Sequence, residues 1–408
     1  MQQQLIVIGG GAAGFFCAVN AARMNPDLQV TIVEKSNKIL SKVKVSGGGR
    51  CNVTHHCFEI DELSKRYPRG QNFLKKAFHW FNTNDTVQWF QERGVKLKAE
   101  ADGRMFPTTD SSQTIIDCLL AEANKYRVVI LTNHDVISIE KEHEFFYLHL
   151  ANNKRLTANQ LCIATGGYPK ALQFQWLQKL GHSIEDPLPS LFTFNMPNNS
   201  ITQLMGVSVP EAQVKIIGTK LSYTGPLLIT HWGMSGPAVL KLSAYGAREL
   251  ASKQYHFSIL INWIPNYNEQ PLKEEWLQFR NQFASQKIHS KNPFGLPNRL
   301  WIYWLTQCKI EETTRWADVT AKQQNQLIQC LTAQQFEVKG KTTFKEEFVT
   351  CGGIKLSEVD ANTMQSKLVP KVYFAGEVMD VDGITGGFNF QHAWTSGWIA
   401  AKAIANDK

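Results

Sequence analysis

A chain of 408 residues, 43% hydrophobic and 19% charged, is long enough for more than one core and too apolar for extended disorder. No apolar run reaches the ~18–20 residues that span a bilayer, and MQQQLIVIGGG has no basic stretch ahead of its apolar residues, so neither a signal peptide nor a membrane span is read. The formal net charge of +8 suits an anionic partner, whether a dinucleotide, an acidic substrate or RNA.

Leu5 to Ile8 form a short apolar run, the glycines of GGGAAG follow at once, and AAGFFCAVNAARM has the composition of a buried helix. QVTIVE then resumes a β-rich run ending in Glu34, so residues 4–34 predict strand, glycine turn, helix and strand. Within this βαβ unit Gly9, Gly11 and Gly14 fit G-x-G-x-x-G, with Ala12 and Ala13 between the last two, and Glu34 lies twenty residues past Gly14. Gly9 permits the tight turn, Gly11 lets the backbone approach a pyrophosphate, and Gly14 lets helix and strand pack closely, with the helix N-terminus facing the phosphates. A carboxylate at position 34 accepts hydrogen bonds from an adenosine ribose and disfavours a 2′-phosphate, which points to FAD or NAD rather than NADP at this site.

The next stretch, KVKVSGGGRCNVT, sets three glycines beside Arg50 and Cys51. Glycines are kept where φ is positive or where a ligand leaves no room for a Cβ, and equally in plain surface turns. CNVTHHC offers Cys51, His55, His56 and Cys57, but such close neighbours do not converge easily on one tetrahedron and no second ligand pair follows, so no metal site is read there. The eight cysteines lack the dense spacing of a disulfide scaffold, which predicts reduced thiols and a cytoplasmic setting. Lys65, Arg66, Arg69, Lys75 and Lys76, interleaved with Tyr67, Phe73, Phe78 and Trp80, read as a solvated helix face or as a nucleic-acid patch. The solvated face is preferred, because binding needs the charges on one surface.

Further along, VVIL (128–131), DVISIE (135–140), FFYLHL (145–150) and QLCIATGG predict strands separated by short turns. They resemble the β-meander of two-dinucleotide flavoproteins, with Ala164, Thr165 and Gly166 matching the ATG turn. Between 190 and 340 the texture changes: VSVPEAQVKII and HFSILINWI read as strands, EEWLQFRNQF, NRLWIYWL and AKQQNQLIQCL as helices. This insert holds six of the eleven tryptophans, read as core packing rather than a substrate cage. KVYFAGE then returns to strand, and a Gly-rich loop leads to a helix with small residues on one face from Gln391 onward. An extended flavin needs such a returning loop, whereas a simple NAD dehydrogenase does not.

Taken together, IVIGGGAAG, KVSGGGRCNVT, IATGG, THWGMSGPA, FAGEVMDVDG and TGGFNFQHAWTSG resemble the BaiN-like, aminoacetone-oxidase-like family of bacterial NAD(P)/FAD-dependent oxidoreductases over nearly the full chain. The resemblance implies an α/β fold: a Rossmann-like FAD-binding domain of the glutathione-reductase-like superfamily, with a three-layer ββα arrangement, in segments 1–190 and 341–408. An insert at 191–340, β-barrel-like and then helical, would form the substrate side. The resemblance also implies that Ser46, Gly47, Gly48, Gly49, Arg50, Cys51 and Asn52 line the cofactor, with Lys35 and Lys42 beside it. Val136 would meet the adenine through its backbone, Thr165, Gly166 and Gly376 would pass close to the cofactor, and Glu377, where many relatives carry Asp, would take the ribitol. Gly386, Gly387, Phe388, Asn389 and Gln391 would bring N–H groups and a helix N-terminus to the pyrimidine edge of the flavin, favouring its anionic reduced form.

The expected function is an FAD-dependent oxidoreductase that moves a hydride between flavin and a small organic substrate. NAD(P)H would be a transient donor at the substrate face, because only one well-formed G-x-G-x-x-G is present. The alternatives are a flavoprotein that modifies or binds RNA and a non-catalytic flavin sensor; no nucleic-acid or membrane partner is expected. Cys51 reads as packing and no catalytic acid or base is assigned. Arg50, Arg104, His231 and His392 are candidates for substrate anchoring or proton delivery.

Overall fold

Gln4–Ile8, whose last four side chains are buried, runs parallel to Gln29–Val33 on one side and to Gln160–Ile163 on the other. Val129–Leu131 and Val372–Phe374 complete a five-stranded, all-parallel sheet in the order 372–374, 160–163, 4–8, 29–33, 129–131. Strands buried on both faces need continuous Val, Ile and Leu rather than alternation, which is why LIVI could be read as a strand at all. The first strand is central, and the chain winds away from it in both directions, so the carboxyl ends of 4–8 and 160–163 flank a topological switch point.

The computed structural model describes residues 3–342 and 349–407 and divides them into two compact units, one of 3–190 with 349–407, the other of 191–342. In the first unit Ala12–Met24 lies against Phe388–Asn406, where a Cβ on Gly397 would sit 2.8 Å from the Ala13 carbonyl oxygen. That glycine allows the two backbones to touch. Phe16, Trp89, Phe90 and Trp394 fill the space beside them, with Phe16 and Trp394 5.1 Å apart. The antiparallel meander Val136–Glu142, Phe145–Leu150 and Arg155–Ala158 forms its own sheet. A small sheet of Thr54–His55, Arg104–Pro107 and Leu97–Ala99 carries the segment after the three glycines.

The second unit is built on a seven-stranded antiparallel sheet whose edge strands, Gln334–Lys339 and Lys341–Thr342, are joined through Gly340, so the row curls back on itself. Glu269–Gln282, Asn298–Gln307 and Ala321–Thr332 supply its helical part. Five of the six insert tryptophans, Trp263, Trp276, Trp301, Trp304 and Trp316, are core residues. The boundary expected at 340/341 falls within this sheet, where Lys341 and Thr342 pair with Phe194 and Thr193; residues 343–348 lie outside those described. The C-terminal helix begins at Phe388, three residues before the expected start, because Gly387 at φ 94 ends the loop there.

Candidate functional site

All the residues assigned to a cofactor by sequence belong to the first unit. At the carboxyl ends of the parallel strands a cleft is lined by Ile8, Gly9, Val33, Glu34, Lys35, His134, Asp135, Val136, Thr165, Tyr168 and Trp176. Glu34 is held rigidly: one carboxylate oxygen accepts from the Gly10 N–H and the other from the Ser36 N–H and hydroxyl, each at 2.9 Å. Three accepted bonds leave a carboxylate with capacity for one more. Lys35 sits with Nζ 5.6 Å from the Tyr168 ring centre, and burial pushes the Tyr168 phenol up, so it stays neutral. Sequence reasoning missed Ile8, Val33, His134, Asp135, Tyr168 and Trp176; the one signal for Tyr168 was its place directly after the ATGG turn.

The helix Ala12–Met24 starts at Gly11 without a side-chain cap, and a Cβ on Gly11 would meet no protein atom within 4 Å. Its first N–H groups therefore open onto free space at the positive end of the helix, an arrangement that accepts phosphate. Beyond it, Gly376 comes so close to Ala13 that a Cβ on the glycine would lie 2.8 Å from the alanine Cβ, and its N–H donates to Ser396 Oγ at 2.9 Å. The neighbouring Glu377 pairs with Lys42 at 2.6 Å, joining the second and last cofactor segments by sequence order.

The SGGGRCN stretch is a turn at the end of the short helix Ser41–Gly49, with Gly47, Gly48 and Gly49 at φ 59, 69 and 85 and Cys51 at 63. A Cβ on Gly47 would strike Phe106, whereas one on Gly48 or Gly49 would enter space holding no protein atom. Arg50 stacks 4.0 Å over the Phe106 ring and pairs with Glu100 at 2.6 Å; Arg104 pairs with Asp102 and Glu100. Cys51 is buried, and burial pushes its thiol up to about 12. Asn52 turns its side chain to the other half of the chain: in the amide orientation that satisfies both ends, it donates to the Thr54 carbonyl at 2.9 Å and accepts from the Gly387 N–H at 3.0 Å.

The loop before the last helix divides its residues between two tasks. Asn389 closes the loop on itself through the Gly383 N–H and carbonyl. Phe388 stacks on His55 at 4.6 Å, and Gln391 is consumed by Thr54, Thr86 and Thr395. Gly386 and Gly387 stand at the uncapped start of the Phe388–Asn406 helix; the Gly387 N–H is taken by Asn52 and the Gly386 carbonyl lies 3.0 Å from His55 Nδ1, which leaves the Gly386 N–H for a ligand. His392 is fully buried with both ring nitrogens unpartnered, and burial lowers it to about 4, so it is neutral at pH 7. His231 lies in the second unit, its ring 3.8 Å from that of Trp232.

Residues 3–403 match the family described as HI0933-like protein Rossmann domain. The chain belongs to this family. An Escherichia coli K12 relative named "Ribosomal RNA dihydrouridine synthase" is 31% identical over 98% of this chain and 97% of its own length. A Clostridium scindens relative named "3-dehydro-bile acid delta(4,6)-reductase" is 25% identical over 98% of each chain. In fold, the chain is similar to the 3-ketosteroid delta1-dehydrogenase of Sterolibacterium denitrificans, with a TM-score of 0.52 at 12% identity, covering 99% of both. As a member of the HI0933-like family the protein is an FAD-dependent oxidoreductase. The cleft, the open helix N-terminus and the protein-free space over Gly48 and Gly49 fit an FAD.

Glu34→Ala is therefore expected to weaken FAD binding about 10- to 100-fold, the range for losing hydrogen bonds to a charged group. The measurement is the FAD dissociation constant beside the apoprotein melting temperature. Unchanged affinity would separate Glu34 from the cofactor.

Proposed function

We propose that this protein reduces a carbon–carbon double bond conjugated to a carbonyl, that the bond is C5–C6 of a uridine in ribosomal RNA, and that NAD(P)H is the transient donor. The observation that carries this reading is the Escherichia coli relative, which aligns over essentially the whole of both chains. Its name describes uridine saturated beside the C4 carbonyl. The Clostridium scindens name describes reduction of the same kind of bond in an oxo-steroid, so one chemistry accounts for both. The formal charge of +8 agrees with a polyanionic substrate and is of little use to a neutral one.

When bound, FAD would supply a hydride to the alkene carbon β to the carbonyl, and solvent the proton for the neighbouring carbon. The chain contributes positioning. Gly11 and the N-terminus behind it would hold the diphosphate, Glu34 the ribose, and the Gly386 N–H the flavin edge, with Asn52 tying that loop to the three-glycine turn. Arg50, fixed by Glu100 and Phe106 and with a third of its side chain exposed, offers a cation to a uracil carbonyl or a phosphate. Neither Cys51 nor His392 is suited to supply the proton, since burial makes the thiol a very weak acid and keeps the imidazole from carrying a second proton.

The test is to incubate the holoprotein and NAD(P)H with ribosomal RNA from cells lacking the protein, then measure dihydrouridine by mass spectrometry. Two hydrogens should be gained at a defined uridine. RNA left unchanged by a protein whose reduced flavin is reoxidised by a 3-oxo-Δ4 steroid would instead select the small-molecule reading expected from sequence.

A further inference from the structure

The basic run noted in the sequence is largely neutralised by folding. Lys65 and Arg66 face Glu62, Lys75 faces Asp61 at 2.7 Å, and Arg69 is buried against Asp382; Tyr67 and Phe78 are core residues. What remains is a different set. Among the described residues, Lys76 and Lys402 have no carboxylate partner. Lys76, His79, Trp80 and Asn362 line an open cleft of about 430 Å³ in the first unit. Trp80 is 44% exposed although large aromatic side chains gain most from burial, and its indole N–H donates to Asn362 Oδ1 at 3.1 Å, which fixes the ring plane. Lys402 Nζ lies 4.4 Å from the Trp80 centroid and 5.3 Å from that of Trp398, whose ring stacks on Phe81.

We propose that this cleft is a docking surface for single-stranded RNA: a base stacks on Trp80 while Lys76, His79 and Lys402 meet the flanking phosphates. An oriented, exposed indole with Lys402 against its ring and Lys76 in the same cleft lining has the two elements of sequence-tolerant strand binding, a π-face and positive charge. The surface lies towards the far end of the last helix from the loop assigned to the flavin edge. Lys402 is fifteen residues beyond Gly387 on the same helix, about 20 Å at ~1.5 Å per residue. A small substrate held at the flavin has no contact with it, whereas a folded RNA presenting one uridine to the flavin spans that distance. The inference rests on the ribosomal-RNA reading and adds where the rest of that substrate binds.

The experiment measures fluorescence anisotropy of a labelled single-stranded oligouridylate with the holoprotein and with Trp80→Ala, Trp80→Phe and Lys76→Gln, alongside dihydrouridine formation in ribosomal RNA. Trp80→Ala should weaken binding roughly 5- to 150-fold, the value of one stacked base, and Trp80→Phe should restore most of it. Lys76→Gln should flatten the slope of log affinity against log salt by about 0.7, one phosphate contact on a single strand. Flavin content and melting temperature should not change in any of the three. No RNA binding by the unaltered protein, or equal binding by Trp80→Ala, overturns the surface. If ribosomal RNA is reduced normally by Trp80→Ala, the surface falls and the function stands. If binding depends on Trp80 but no dihydrouridine forms with any variant, the surface stands and the function falls.

Discussion

Gly14→Ala is expected to yield little folded, flavin-bearing protein, whereas Gly11→Ala should fold normally and lose only cofactor affinity. A Cβ at position 14 runs into the Gly9 carbonyl oxygen and lies 3.4 Å from Val7 Cγ1, so the helix must move off the strand that it packs on. Strand and helix here are the centre of the parallel sheet and a helix packed on it, with Leu5–Ile8 and Ala13–Ala22 buried, so the contact has little room to relax. The cost expected is above ~4 kcal/mol, a large share of the ~5–15 kcal/mol that stabilises a domain. At position 11 the same methyl group meets no protein atom, and the residue has φ −91, which alanine adopts freely. Any loss there comes from the ligand's approach. Melting temperature, soluble yield and FAD affinity for the two variants decide the matter: a wild-type melting temperature in Gly14→Ala would refute the packing argument, and wild-type FAD affinity in Gly11→Ala would refute the placement of the diphosphate.

Arg69→Ala should be strongly destabilising. The Asp382 side chain is wholly buried; Arg69 reaches it with Nε at 2.5 Å and with a second, shorter contact, and the Ser190 hydroxyl donates to the same carboxylate. The pair anchors the segment that leads into Gly386 and Gly387. Removing one member of a buried pair costs about 3–5 kcal/mol, here a fall of roughly 6 to 20 °C in melting temperature. The pH dependence has a definite sign. Burial pushes the Asp382 carboxyl up, and Arg69 and Ser190 pull against it; without Arg69 the rise is greater. A carboxyl whose folded value is raised contributes stability that is complete below its unfolded value, ~3.9, and is lost as pH rises through the folded value. The deficit of Arg69→Ala relative to the unaltered protein should therefore be large at about pH 8 and shrink towards about pH 4, where the buried carboxyl is neutral. Arg69→Met combined with Asp382→Leu should recover most of the loss. A deficit that is the same at both pH values would mean that Asp382 does not titrate, and the electrostatic account would be wrong.

What the sequence by itself determined was local. The strand, glycine turn, helix and strand of residues 4–34 are contiguous; their periodicity and glycine spacing are direct consequences of backbone geometry, so Ala12–Met24 and Gln29–Val33 lie where the pattern put them. The same holds for Phe145–Leu150 and for the strands and helices of the insert, each legible from a run of fewer than fifteen residues. Pairings across the chain were decided only by tertiary structure. That Asn52 bridges to Gly387, that Gln391 is used up by Thr54 and Thr86, and that Arg69 is buried on Asp382 all depend on partners more than three hundred residues away. Charge followed the same division: the count of lysines and arginines was in the sequence, but which of them are cancelled was not. Lys75 is opposed by Asp61 because two short helices pack together, while Lys76, one residue on, projects beside Trp80 and is left positive. Hydrophobic pattern reports which face of an element is inside, since burial acts on each residue separately; it carries no record of which polar group another will meet, because a hydrogen bond or ion pair exists only once the fold has brought both partners to the same place.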